Sequence, residues 1–301
     1  MIPKTDIAVL LALSSALCIA IGDVLQQRAA HCITDRSVGQ IELFVSLLRN
    51  RRWWWGVLLL AASIGLQAAA LGQGSVLLVQ ALPMLSFLFA LPINARVAHR
   101  TVTGDEWIWA GLLTAAVIVI VTVGNPQAGR SSASLHTWAA VAVVLGPLLV
   151  ACVVAGRIWG GAAGAVLFAA VSGSLWGVFA VLTKEVVARL GEGGFVVVRT
   201  PESYACVLVA LGGFVWSQSA FRAGPLTAPM PALEMSQPVV AAVLGVVVLG
   251  ETLDTSRTGM IALAAAAVVM ALAIFQPARV DAAAIRQRVD ATLQDAVSRP
   301  A

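Results

Sequence analysis

PALEMSQPVVAAVLGVVVLGETLD, residues 231–254, falls in gapless register with QALPMLSFLFALPINARVAHRTVT, residues 80–103, at a shift of 151 positions. The shift sets Ala81 on Ala232, Leu82 on Leu233, Met84 on Met235, Val97 on Val248 and Thr101 on Thr252. It holds beyond this pair, with Gln67 on Gln218, Leu112 on Leu263 and Val117 on Val268. A slightly different offset sets ALSSALCIAIGDVLQQ near the N-terminus against AAVSGSLWGVFAVLTKE, residues 169–185. One register across several apolar segments and the turns between them predicts a chain built from two related halves.

Those segments are of a kind that lipid accommodates. Of the 301 residues 59% are hydrophobic and 11% charged, where a soluble domain carries about 25% charged residues. A hydrocarbon core about 30 Å thick needs roughly 20 apolar residues per helix. The apolar runs here are continuous, not alternating as barrel strands are, and a helix satisfies its own backbone hydrogen bonds in lipid. The chain therefore reads as an all-α polytopic membrane protein. Nine spanning segments are expected, near 7–28, 53–71, 75–97, 105–123, 136–155, 160–187, 203–223, 227–250 and 257–275. Residues 277–301 are too polar to span, so no tenth helix is expected. Ile285, Val289, Leu293 and Val297 recur every four residues, which fits an amphipathic helix on the membrane face, with a disordered tail as the alternative.

The organisation follows. Residues 1–125 form a first repeat with four segments, 126–158 a connector with the fifth, 159–276 a second repeat with four, and 277–301 the tail. Corresponding segments lie five crossings apart, an odd number, so the halves enter the membrane in opposite directions as an inverted-repeat bundle. Most of the 19 Lys and Arg residues, among them Arg49, Arg51, Arg52, Arg96 and Arg100, fall on one side. That side is expected to be cytoplasmic, which puts the N-terminus outside and the C-terminus inside a cell membrane. Trp53, Trp54 and Trp55 beside the arginines suit an interfacial anchor. Met1 to Gly22 lacks a small-residue cleavage pattern and reads as a retained first helix. The net charge of +4 belongs to loops beside spans, so the lipid bilayer, not a nucleic acid, is the expected partner; a homodimer is left open. Cys18, Cys32, Cys152 and Cys206 show no ligand or disulfide spacing.

An ionisable residue inside a spanning segment costs about 2.5–3.5 kcal/mol and is a functional hypothesis by default. Glu234 lies about 10 Å below the start of its segment at the helical rise, and Asp23 about 7.5 Å from the same face. Both carboxylates can therefore line one cavity. Pro229, Pro231 and Pro238 remove backbone donors around Glu234 and are expected to loosen that segment. Glu234 with Gln237 then suits a cation, a cationic group or a coupling proton, the alternative being a structural pairing with Arg222 or Gln218. Gln80, Gln218 and Gln237, with Gln67, suit substrate binding or helix-to-helix hydrogen bonds. Trp176 is placed to stack on a substrate or to pack. Gly173 and Gly177 form a small-residue face for close helix approach. Lys184 and Glu185 read as snorkelling surface residues at a helix end. His31, His99 and His136 make no metal constellation, and the metal question stays open. No phosphate-binding Walker pattern and no nucleophile arrangement appears, so neither an enzyme nor a cofactor is expected.

The related halves, LGETLD at 249–254 and the following SRTGMIALAAAAVVMALAI resemble the drug/metabolite transporter superfamily (EamA-like) over about residues 7–276. The absent tenth helix, the QQRAA end of the first segment and RRWWWGVLLL are similar to its nine-helix magnesium-transporter-like branch (NIPA-like). The resemblance implies a secondary transporter that moves a small-molecule or ion substrate by alternating access, with a proton as one candidate coupling ion. A divalent-cation carrier, a flippase for lipid-linked sugars or phospholipids, and a non-transporting membrane scaffold are the other readings.

Overall fold

Local signals in the sequence set most of the helix ends. The computed structural model describes residues 4–34, 51–97, 101–190, 200–223 and 229–273. Helix α1 spans Lys4–Thr34 and α2 Arg51–Leu71; α3, Val76–Ala81, passes through a 3-10 turn, Leu82–Leu85, into α4, Ser86–Val97. Then come α5, Gly104–Thr122, α6, Leu135–Trp159, α7, Gly161–Leu190, α8, Pro201–Ala223, and α9, Pro229–Val247, followed by α10, Arg257–Ala273. Ser75 and Ser134 cap α3 and α6 by accepting from Leu78 N and Thr137 N, each at 3.2 Å. Thr103 and Glu106 close a reciprocal capping box on α5, satisfying donors that a helix start leaves bare. Gly160 and Gly161 both adopt positive φ, 58° and 53°, so the chain reverses between α6 and α7 where a Cβ would be strained.

Among the described residues eight helical spans are long and apolar enough to cross a membrane, the third being Val76–Ile93, and α10 is a shorter apolar helix. The protein is a polytopic all-α membrane protein. Within the first half α1 packs on α2 and on α4; within the second, α7 packs on α8 and α9. Ala8, Ala12, Ala16 and Ala20 run down one face of α1, all fully buried. Small side chains at this spacing let helices approach without a hydrophobic drive between them. Between the halves α3 meets α9 and α2 meets α7. Leu71, Val76, Val79, Val181, Leu244 and Leu249 form the shared core. Helix α6 packs on α7 alone among the larger contacts and leaves Leu135, Val143, Val144 and Ile158 more than 70% exposed. Two short strands, β1, Pro126–Gln127, and β2, Thr252–Leu253, pair antiparallel with Pro126 opposite Leu253.

Two expectations change. The proline-rich segment at Glu234 is not loosened: α9 runs unbroken through Pro238. Pro229 and Pro231 sit in its first turn, where the missing N–H is an orphan anyway. The irregular turn falls instead in the other half, where Pro83 is the second residue of the 3-10 stretch. The first segment is longer than expected and reaches from Lys4 to Thr34. The expected final turns of the ninth segment and the tail, 274–301, lie outside the described residues.

Candidate functional site

Helices α1, α2, α3, α7 and α9 enclose a cavity of about 170 Å³ at the junction of the halves. Gln67, Gln80, Trp176 and Gln237, four of the residues singled out in the sequence, line it together with Ile19, Ser63, Leu71, Phe179 and Thr183. Gln80 is 2% exposed, and Gln237 Nε2 donates to Gln80 Oε1 across the halves at a long 3.4 Å. Trp176 and Phe179 stand edge to face, 5.4 Å apart, the arrangement that aromatic quadrupoles favour. The hydroxyls are already used: Ser63 Oγ donates to Leu60 O and Thr183 Oγ1 to Phe179 O, both at 2.7 Å. The carboxamides are thus the polar groups with hydrogen-bonding capacity to spare.

Below this space lie the two acids. Glu234 sits one helical turn from Gln237 on α9, and Asp23 one turn from Ile19 on α1. Glu234 is partly buried, Asp23 is exposed, and the charge of Asp23 acts on Glu234. Pro238 carries no N–H, so the carbonyl of Glu234 lacks its helical donor and adds an acceptor beside the carboxylate. No ion pair joins Glu234 to Arg222 among the described residues. Gln218 is exposed on α8 and does not line the cavity, so it is not brought to the site.

The opposite end is built from residues whose role the sequence concealed. Lys184 and Glu185 are not at the surface: they are 6% and 1% exposed. Lys184 Nζ pairs with Glu251 Oε1 at 2.6 Å, both side chains buried. Glu251 also accepts from Val76 N at 2.6 Å and Leu77 N at 3.2 Å, so one carboxylate from the second half seals the first turn of α3 in the first. Gly250, at φ 66°, turns the chain so that this acid points back into the bundle. A Cβ on Gly245 would lie 2.8 Å from Glu251 Oε2, which explains the glycine. Glu185 faces the other way, accepting from Ala133 N at 2.8 Å and Trp138 Nε1 at 3.1 Å; it ties α6 to α7. Beyond the lock lies a second space of about 410 Å³, lined by Ile7, Gln73, Ser131 and Lys184 among others, and Leu71 borders both spaces. The signal for the lock was in the sequence: Lys184 and Glu251 are charges at the same ends of two apolar segments.

The small-residue face of α7 behaves as its sequence predicts. A Cβ on Gly173 would lie 2.5 Å from Leu233 O, and one on Gly177 would lie 2.8 Å from Gln237 O. These contacts fix the depth at which α9 holds Glu234 and Gln237. Gly173→Ala is therefore expected to destabilise the protein by about 1–3 kcal/mol through overpacking, read as a lower melting temperature in detergent. Gly111→Ala, where a Cβ meets nothing within 4 Å, should leave that temperature unchanged or raise it slightly. Equal effects of the two substitutions would show that α7 and α9 are not in backbone contact.

No family model matches the chain, and no solved structure matches it. A protein of Corynebacterium glutamicum, named Uncharacterized protein Cgl0250/cg0304, is 35% identical to it over 272 residues, which cover 88% of this chain and 92% of that protein.

Proposed function

The chain belongs to the family of the Corynebacterium glutamicum protein, and from its geometry we propose that it is a secondary active transporter. It moves a small metabolite or drug-like solute across the cell membrane by alternating access. The observation that carries this reading is a carboxamide-lined cavity between two halves whose ends differ: a buried ion pair closes one, and two carboxylates with no ion pair among the described residues flank the other.

The inverted repeat supports it. Shifted by 151, α2 would cover 202–222, against Pro201–Ala223 for α8, and α5 would cover 255–273, against Arg257–Ala273 for α10. Helix α1 starts at the end where α7 finishes, and α3 starts where α9 finishes, since Lys184, Glu251 and Val76 meet there. Repeats of opposite direction around a midplane site can rock so that the site faces each side in turn. On this reading nine helices form the bundle, as in the drug/metabolite transporter superfamily. The Lys184 end faces outward, and the Asp23 and Glu234 end faces the cytoplasm together with the C-terminus. Glu234 and Asp23 take the coupling ion, and the carboxamides and Trp176 take the solute.

The test uses Gln67→Cys in a variant whose native cysteines are replaced. In membrane vesicles the new thiol, inside the cavity, should react with a membrane-impermeant maleimide from the Asp23 face. Adding Glu251→Gln, which loosens the lock, should raise its reactivity from the opposite face by about tenfold or more, which is about 1.4 kcal/mol. Labelling that is equal from both sides, and unmoved by Glu251→Gln, would overturn the alternating-access reading.

A further inference from the structure

We infer, resting on the transporter reading, that the central cavity binds an uncharged planar solute of single-ring size with an amide-like edge. Size comes first. The cavity measures about 170 Å³, and an apolar cavity of about 150 Å³ in another protein core is enough for benzene. One ring with a small substituent fits with room to spare, whereas two fused rings carrying the same substituent would exceed the density at which protein interiors pack.

The lining then selects the chemistry. Gln67, Gln80 and Gln237 each offer a carboxamide, which both donates and accepts. Their mutual contact, Gln237 to Gln80 at 3.4 Å, is longer than the 2.7–3.2 Å of a good N–H···O bond, so a ligand that pairs with both loses little by separating them. A solute that also donates and accepts along one edge, as a carboxamide or a lactam ring does, matches this pattern. The edge-to-face pair of Trp176 and Phe179 supplies an aromatic wall, and Ile19, Ile64 and Leu71 an apolar one.

Charge is excluded by the same lining. Among the described residues none that borders the cavity is ionisable, and a buried charge without a partner is strongly disfavoured. Lys184 is already paired with Glu251. Asp23 and Glu234 do not line the space; they sit one turn away, which separates the ion-handling groups from the solute-binding groups.

Three isosteres decide the matter: benzamide, the benzamidinium cation and benzoate, titrated calorimetrically into the purified full-length protein. Benzamide should bind at least tenfold more tightly than either charged isostere. Gln80→Leu should weaken it about tenfold, the scale of one lost buried hydrogen bond, and 2-naphthamide should bind at least tenfold more weakly than benzamide. Benzamidinium binding more tightly than benzamide, with the preference lost in Glu234→Gln, would overturn the inference in favour of a cation site. Absence of benzamide binding to protein with an unimpaired melting transition would also overturn it. The experiment needs no gradient, so its failure is separable from that of the transporter reading: side-dependent labelling of Gln67→Cys without benzamide binding refutes only the solute class, and benzamide binding without such labelling refutes only alternating access.

Discussion

Glu251→Ala should be the most destabilising single substitution outside the apolar core. The carboxylate of Glu251 is fully buried and holds three donors: Lys184 Nζ at 2.6 Å, Val76 N at 2.6 Å and Leu77 N at 3.2 Å. Alanine leaves the Lys184 ammonium, 7% exposed at its side chain, without a counter-charge, and leaves two amides of α3 bare. Removing one partner of a buried pair costs about 3–5 kcal/mol, because the surviving charge stays desolvated. In a chain of this size that corresponds to a fall in melting temperature on the order of 10 °C. The double variant Lys184→Met/Glu251→Gln removes both charges and keeps an acceptor for Val76 N, so it should recover more than half of the loss. Melting curves in detergent check both. A single variant that melts with wild type would mean the pair is not closed in the folded protein.

Glu234→Gln should have the largest effect on transport. Glutamine keeps the size and the hydrogen-bonding shape of the side chain but cannot exchange a proton or neutralise a cation. The charge of Asp23 acts on Glu234, and no basic side chain is paired with either among the described residues. An intramembrane carboxylate in such a place is suited to a proton or ion relay. Gradient-driven uptake into proteoliposomes should fall by at least about 100-fold, the scale of losing a positioned proton carrier. Solute binding in the cavity and the melting temperature should change little. Asp23→Asn, at the exposed rim, should cost about tenfold. Driven uptake that survives Glu234→Gln would remove Glu234 from the coupling step.

Much of this arrangement could be read from the chain. Continuous apolar runs forced helices, and the bounds of α2 and α5 shifted by 151 fall within two residues of those of α8 and α10. Matching the depths of Asp23 and Glu234 brought two distant acids into one neighbourhood, and Gln80, Gln237 and Trp176 do line one cavity. What the chain hid depended on contacts between segments. Gln218 aligns with Gln67 at the 151-residue shift, yet Gln218 is exposed and Gln67 lines the cavity. Lys184 and Glu185 looked like surface residues because a helix end in isolation is wet. Glu251, which the turn at Gly250 brings over that end, lies 67 residues beyond Lys184. Depth matching would have found this pair too, since both charges stand at the same end of their segments. Pro83 lies in a 3-10 turn that interrupts its span and Pro238 lies within a continuous helix, a difference that local rules, which treat the two alike, do not give.

The lock also has a history in time. Val76 waits for an acceptor that is 175 residues away along the chain. At a synthesis rate of about 5–20 residues per second, roughly 10–35 s pass between the making of α3 and the arrival of Glu251. During that interval the first half sits in the bilayer with the amides of α3 unsealed, and Lys184, once made, has no counter-charge. A nascent chain that stops short of Gly250 therefore leaves Lys184 without its counter-charge and the first amides of α3 bare, at the end that the finished protein seals with Glu251.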